Sequence, residues 1–453
     1  MSFFDSVEHI DFDDNHQPTG IWQNWSQNQQ SFPSCVFQPV STSELAAELQ
    51  SSATEKPSQQ QSNLPKYRAI GSGHSFSPLA KTQDTLVSLN KMTGLMGHDP
   101  AKNTVRVMAG TPLHQLSPLL DDIDQGMLNM GDINHQSIAG AVATGTHGTG
   151  AELPCISGLV KSLTLITPAG KVLECSAEHN KALYDAARVN LGCLGFVTEV
   201  ELQNGPAYSL KESIEVLPLE EVLNNLDQLK DAHRHVEFFA FAYSDQVILK
   251  TLNPTKEEAY APKAGMISDD ALLKFFCETT KRFPKLTPFI HQQIARFIKP
   301  STRVDVSHKI FATPRTVRFN EMEYQVPAED GPACLRKVFA HIREHEIPAF
   351  FPIEYRYVAG DTIWLSPFYR RDSASISIHQ YYKQDYVELF QALEPIFDQF
   401  QGRPHWGKIH TKTHQELKSL YSRWDQWQEI RKALDPHNQL MTPAMNGLLG
   451  EVE

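Results

Sequence analysis

Apolar and polar positions change their period several times along the chain. From Thr104 to Gly110, Val105, Val107 and Ala109 alternate with Thr104, Arg106 and Met108, the two-residue period of a half-buried strand. The pattern then turns helical. Thr111 is suited to cap a helix with Pro112 at its first position, and Leu113, Leu116, Leu119 and Leu120 form the apolar stripe. "KYRAI" (66–70) and "TLVSL" (85–89) are short strands, and a helix over 42–50 leads into a polar, proline-bearing loop at 50–66. "LVKSLTLITPAGKVLEC" (159–175) predicts a hairpin turning at Pro168-Ala169-Gly170-Lys171. In 196–203, Phe196, Thr198, Val200 and Leu202 face one side and Glu199 and Glu201 the other. The first 205 or so residues therefore read as one α+β unit.

The texture changes near "NGPAY" (204–208). A helix carrying Leu219, Val222, Leu223, Leu226 and Leu229 precedes "VEFFAFAY" (236–243) and "QVILKTL" (246–252), two strands apolar on both faces. Residues 253–315 look irregular and are dotted with proline. "RFNEMEYQVP" (318–327) predicts a strand, and Pro332 opens a helix with Leu335, Val338, Phe339 and Ile342 on one face. "FPIEYRYV" (351–358), "IWLSPF" (363–368) and "ASISIHQYY" (374–382) predict three more strands, and "YVELFQALEPIFDQF" (386–400) an amphipathic helix. The expectation for 206–410 is helices on a mainly antiparallel sheet, with a helical tail over 411–453.

Composition narrows the class. The 453 residues suit about two to three domains. A net charge of −12 argues against a nucleic-acid surface. No apolar run reaches about 18 residues, so no membrane span is expected, though contact with a membrane surface stays open. The N-terminal stretch is acidic and lacks the marks of a secretory signal. Cys35, Cys155, Cys175, Cys193, Cys277 and Cys334 are scattered without a CxxC pair, which points to a reduced, cytoplasmic setting.

Two glycine-rich segments carry the candidate chemistry: "GSGHSFS" (71–77) and "NMGDINHQSIAGAVATGTHGTG" (129–150). Glycine lets backbone N–H groups approach an anion closely. Two such loops suggest a long ligand with a pyrophosphate, against the plainer reading of two tight turns. Gly145, Gly148 and Gly150 match a phosphate fingerprint only superficially, because the strand, loop and long helix do not follow in order. Glu354 and Arg356, two apart on a strand, share a face; taken alone they are a surface ion pair. His410 and His414 in "HTKTH" have metal-ligand spacing on a helix but no carboxylate partner, so a solvated helix start is preferred and no metal is expected. No G-x-S-x-G elbow supports a serine hydrolase.

Taken with "GTPLHQL" (110–116) and "LGCLGFVTEVEL" (191–202), the two glycine segments resemble the FAD domain of vanillyl-alcohol-oxidase type flavoproteins. "FNEMEYQVP", "PIEYRYVAGDTIWLSP" and "GRPHWGK" resemble the aldonolactone and alditol oxidases, so that the resemblance runs from about residue 20 to 445. It implies an α+β, two-domain flavoprotein: an FAD-binding domain over 1–205, a cap with antiparallel sheet and helices over 206–410, and a C-terminal segment, 411–453, returning to the FAD domain.

The resemblance also assigns residues. Gly71, Ser72, Gly73, Ser75 and Ser77 would serve the pyrophosphate, and His74 would bond covalently to the flavin 8α carbon. Ser137, Ala139, Gly140, Thr144, Gly145, His147 and Gly148 would contact the cofactor, with Gly195 and Val197 near its ribose or adenine. Gly131 would lie near flavin C4a, where a small residue admits oxygen and favours an oxidase. Glu354, as an ionised carboxylate, would accept a bond from a sugar hydroxyl while Arg356 and Lys408 stabilise the developing alkoxide. Asp132, Glu321, Ser377 and His379 would complete the substrate pocket. Alditol oxidases carry serine where Asp132 stands, histidine and threonine at Ser377 and His379, and a glutamine near Glu321 that is absent here. The expected reaction is oxidation of a D-arabinono-1,4-lactone or L-gulonolactone type substrate, with oxygen giving hydrogen peroxide. The alternatives are an alditol (xylitol or sorbitol type) oxidase, a dehydrogenase serving a quinone or cytochrome, and a non-catalytic flavin-binding protein.

Overall fold

The computed structural model describes residues 21–54, 64–262, 269–294, 298–313 and 315–450. In the N-terminal part, strands Cys35–Phe37, Thr85–Ser88 and Tyr67–Ile70 form a parallel sheet with the middle one in the centre. A second, antiparallel sheet runs in the order Val172–Ser176, Val160–Ile166, Phe196–Gln203, Thr104–Met108 and Leu95–Asp99. The predicted hairpin is present: Val172 pairs with Ile166, and Gly170 turns the chain at φ +74°. The helix expected after the 104–110 strand, Leu113–Asp121, begins one residue late, because Pro112 takes the cap position. Thr111 instead donates its hydroxyl to Met108 O (2.6 Å) and accepts from Gly94 N (2.9 Å). Leu113, Leu116 and Leu120 are buried, as the stripe requires.

The rest is dominated by an eight-stranded antiparallel sheet, ordered Ser301–Val306, Ser209–Pro218, Gln246–Thr255, His235–Ala240, Ile353–Val358, Ser373–Tyr381, Phe319–Pro327 and Arg403–Pro404. Alternation decides what each face does. Phe238, Met322, Tyr324, Tyr355, Ile376 and their neighbours join a core with the helices Leu219–Asn224, Gly331–Glu344 and Val387–Asp398. Glu237, Lys250, Glu321, Glu323, Glu354, Arg356, Ser375 and Ser377 occupy the alternate positions, and all are nonetheless buried.

Three expectations change. Residues 363–368 form no strand. Asp361 accepts from Ile363 N (2.9 Å) and Ser366 Oγ (2.5 Å), closing a turn that sends Ile363, Leu365 and Phe368 into the N-terminal core. The described residues of 253–315 include helices Asp269–Arg282, Thr287–Ile294 and Ser307–Phe311 beside the 301–306 strand, where an irregular stretch was expected. The ten-residue strand Ser209–Pro218 was hidden by its mixed burial, which blurs a clean alternation. The tail helices His414–Leu420, Trp424–Leu434 and Pro443–Leu449 place Leu417, Trp427 and Met445 in the core that holds Val105 and Leu163. His410 precedes the first of these helices and His414 opens it, so the two do not share a helix face. All six cysteines are free and all but Cys35 are buried; burial raises the thiols of Cys155, Cys175, Cys277 and Cys334 to about 12. Among the described residues, no helix is long and apolar enough to cross a membrane.

Candidate active site

The turn after strand Tyr67–Ile70 is shaped by Gly73, whose φ of +67° is open to glycine at little cost. Its carbonyl accepts from Trp25 N (2.8 Å), and this docks the turn so that His74 lies between two rings. Trp25 stacks at 5.8 Å on one side and His135 at 6.0 Å on the other. Burial first, then His135 and Lys408, lower the His74 pKa to about 3, so its ring is neutral. Both His74 ring nitrogens are buried without a hydrogen-bond partner. The turn forms one wall of a cavity of about 360 Å³; Ser137, Ala139, Gly140, Thr144, Gly195 and Val197 form others.

A second cavity, of about 300 Å³, opens against the polar face of the large sheet. Lys408 Nζ donates to Glu321 Oε2 (2.5 Å), whose other oxygen lies 3.6 Å from His379 Nε2. Arg356 donates to Glu323 Oε2 (2.9 Å) and lies 3.4 Å from Glu354 Oε2. Lys250, buried behind the cavity, pairs with Glu237 (2.7 Å), and Arg315, on the cavity wall, donates to Asp132 Oδ2 (2.5 Å). Gln136, His405 and Lys408 line both cavities, so the glycine-walled space and the charged one meet there.

The charges are not independent. Burial raises the Glu354 carboxyl to about 8; Arg356 opposes this, while Asp132, Glu237 and Glu321 add repulsion. Glu354 is thus protonated near neutrality, which corrects the expectation of an ionised group stabilised by its two cations. The main reason is burial, and Arg356, the cation that opposes it, is shared with Glu323. Burial also pushes Asp132 up, but Lys250, Arg315 and Arg356 outweigh it and hold Asp132 below its ordinary value. Glu323 is held well below the carboxylate range against its burial by His147, Arg356 and His405. Its oxygens accept from His147 Nε2 (2.6 Å), Gln325 (2.5 Å), Ser375 (3.1 Å), Ser377 (3.0 Å) and Arg356.

The D-arabinono-1,4-lactone oxidase family model matches residues 200–447. The chain belongs to that family. A family model for the FAD binding domain matches residues 33–176. The L-gulono-1,4-lactone dehydrogenase of Mycobacterium tuberculosis is 35% identical over 435 residues, which cover 95% of this chain and 99% of that protein. The L-gulonolactone oxidase of Mus musculus is 32% identical, over 92% of this chain and 95% of the mouse protein. A solvent-stable cholesterol oxidase superposes with a TM-score of 0.78 at 17% identity, covering 94% of this chain and 97% of that one. Cholesterol oxidase from Brevibacterium sterolicum gives 0.77 at 15%, covering 95% and 96%. The fold is the vanillyl-alcohol-oxidase type FAD fold.

As a member of the aldonolactone oxidase family the chain binds FAD, and the glycine-walled cavity fits that cofactor. A Cβ on Gly71 would lie 2.4 Å from Ser137 Oγ, so the two loops approach as closely as they do only with glycine there. The buried, unpartnered His74 nitrogens and Gln136 Oε1 offer polar atoms to a ligand rather than to the protein. Gly71, Ser72, Gly73, His74 and Ser75 all line this cavity. Other expected contacts do not. Ser77 donates to Trp406 O (2.7 Å), tying the turn to the "HWGK" segment. Gly145 ends helix Ile138–Thr144 as a left-handed cap at φ +71°. Gly148 packs so tightly that an added Cβ would lie 2.1 Å from Met130 O. Gly131 and His147 line the charged cavity instead, while Ser377 stands behind its wall, bonded to Glu323.

Several residues escaped sequence reasoning. Glu323 stands two places after Glu321, so alternation alone put it on the same face. Glu237 and Lys250 are directly cross-strand partners, and their charges were the signal within two otherwise apolar runs. His405 lies inside "HWGK", and Gln136 and Trp25 carried no local signal.

Proposed function

We propose that the protein oxidises a secondary alcohol of an aldono-1,4-lactone, of the D-arabinono or L-gulono type, and hands the electrons to oxygen. The observation that carries this reading is the charged cavity lined by Glu321, Glu354, Arg356, His379 and Lys408, which shares Lys408 with the cofactor cavity. FAD, when bound, supplies the hydride acceptor. The protein's part is to orient the alcohol and manage its charge. Protonated Glu354 donates to a sugar oxygen. Arg356 and Lys408 stabilise negative charge on the reacting oxygen. Glu354 already holds a proton, Glu323 is fully engaged and Asp132 is held by Arg315 and Lys250, so we assign the hydroxyl proton to Glu321. His74, whose ring is neutral and whose nitrogens have no protein partner, would hold the flavin ring, and we assign it the covalent link.

The lactone reading is favoured over an alditol by Asp132, which is engaged by Arg315 and Lys250 and is not the serine of alditol oxidases. Oxygen as acceptor is supported by Gly131 on the cavity wall. The mycobacterial relative is named a dehydrogenase, so a protein acceptor or quinone is the second reading. Both are tested by assaying D-arabinono-1,4-lactone, L-gulono-1,4-lactone, xylitol and sorbitol with peroxide detection, alongside an anaerobic redox dye. The lactones should exceed the alditols by at least about tenfold in kcat/KM. Faster alditol turnover overturns the substrate class, and turnover with dye but without peroxide overturns the acceptor. On a denaturing gel the flavin fluorescence should stay with the chain and vanish in His74→Ala.

A further inference from the structure

The polar face of the large sheet carries a row of alternating sign. Lys250, Glu237 and Arg356 are in register on three neighbouring strands, with Glu237 in the middle as cross-strand partner of both cations. Opposite charges placed across strands attract, so either cation is placed to take Glu237. Lys250 takes it, at 2.7 Å, and Arg356 makes no ion pair with Glu237 among the described residues. Arg356 instead reaches across the 373–381 strand to Glu323 (2.9 Å) and lies 3.4 Å from Glu354. Glu237 and Lys250 are both buried, and neither lines the charged cavity or the cofactor cavity.

The same pair borders a tight group of acids. One oxygen each from Asp132, Glu237 and Glu354 lie within 4.8 Å of one another. Glu321, Glu354 and His379 form a second group of that size, so Glu354 belongs to both. The cations around it have their shortest contacts elsewhere. Arg315 is 2.5 Å from Asp132, Arg303 2.7 Å from Glu212 and Lys408 2.5 Å from Glu321. With Lys250 on Glu237 and Arg356 closer to Glu323, Glu354 keeps the longer contact to Arg356. The titratable rings that face the set are His147 and His405 beside Glu323 and His379 beside Glu321. Lys250 also lies 3.8 Å from Glu212 and 3.9 Å from Asp132. Burial lowers its pKa, but Glu237, Asp132 and Glu212 outweigh this and keep the ammonium charged.

We propose that Glu237 and Lys250 are a positioning pair for the substrate site. Lys250 occupies Glu237, so Arg356 stays on the cavity side, and together with Arg315 it fixes Asp132 beside Glu354. The proposal rests on the reading of Glu354 and Arg356 as substrate-binding groups. The alternative is a buried ion pair that serves stability alone.

The test uses the full-length, FAD-loaded protein. Lys250→Met leaves Glu237 facing Arg356 alone, which draws Arg356 from the cavity, and kcat/KM for the lactone should fall at least about tenfold. Glu237→Gln removes a carboxylate beside Glu354 and frees Lys250, so Glu354 should lose its proton about one pH unit lower. Glu237→Gln/Lys250→Met carries neither charge and should recover kcat/KM to within about threefold of the wild type. A pair that serves stability alone predicts the reverse, a double variant at least as impaired as either single one. That outcome overturns the proposal, whether or not the single variants fold. The proton on Glu354 is read without substrate, as an infrared carboxyl band that disappears on raising the pH and is missing from Glu354→Gln. This band decides the matter even where the lactone is not turned over. If the wild type lacks it, the reading of Glu354 fails and the proposal with it. If the band is present but titrates at the same pH in Glu237→Gln, the proposal alone fails.

Discussion

Glu354 shows how far a residue's chemistry is set by its neighbours. Two residues from an arginine on a strand, it looked like half of an ion pair, yet burial and three nearby carboxylates raise it to about 8. Because its folded pKa is raised, the proton is held below about pH 8 and lost above it. A neutral Glu354 donates to the substrate, whereas an ionised one adds repulsion beside Asp132, Glu237 and Glu321. kcat/KM should therefore be highest below pH 8 and decline as Glu354 ionises. Glu354→Gln keeps a neutral donor and should flatten that decline in a pH–rate series; a decline of unchanged shape would remove Glu354 from the profile. Gly131 offers a second test at this scale. Gly131 lines the cavity, and an added Cβ would lie 3.0 Å from His147 O, so the neighbouring backbone must give way. In stopped-flow measurements, Gly131→Ala should slow reoxidation by oxygen about tenfold more than reduction by substrate. Equal slowing of both half-reactions defeats the access reading.

At the scale of elements, the 319–327 strand connects fold to chemistry. Its even-numbered positions, Met322, Tyr324 and Val326, hold the helices. Its odd positions carry Glu321 opposite His379 and Glu323 opposite Ser377. Glu323 gathers His147, from the N-terminal half, and Arg356 into one buried set, fastening the second glycine segment to the sheet. Glu323→Ala would leave Arg356 short of a buried partner and should cost about 3–5 kcal/mol, read as a lower urea midpoint. Glu321→Ala, at the cavity surface, should cost clearly less; equal losses would show that the two carboxylates share one structural role. The alternation of this strand was legible in "FNEMEYQVP". What lay across from it was not, because strand pairing is fixed by register between segments about fifty residues apart.

At the scale of the whole molecule, burial keeps several histidines uncharged. Desolvation lowers His235, His291 and His410 to about 4 and His405 to about 3. Their folded pKa values lie below the unfolded value of about 6.5, so the unfolded chain binds protons more readily as pH falls. The stability they contribute is present above 6.5 and lost progressively between 6.5 and about 4, or about 3 for His405, at up to about 1.4 kcal/mol per histidine per pH unit. The urea midpoint should therefore drop steeply from pH 7 to 5.5. His291→Gln, which can still donate to Phe350 O, should make that drop shallower. A midpoint that does not move over this interval would mean that these side chains take up protons in the native state.

The sequence by itself determined the α+β class, the hairpin at 160–176, the buried stripes of the main helices, and the family with its FAD-binding domain, because periods, turns and motifs are local properties of the chain. It also brought Glu321, Glu354, Arg356, His379 and Lys408 into view. Only the tertiary structure decided how they pair, which of them holds a proton, and that Gly148, Gly145 and Ser77 serve packing, capping and docking. Protonation and pairing depend on burial and on charges far apart in sequence, and "GSGHS" records neither the Trp25 and His135 rings that stack near its histidine nor that its ring nitrogens are buried without a hydrogen-bond partner.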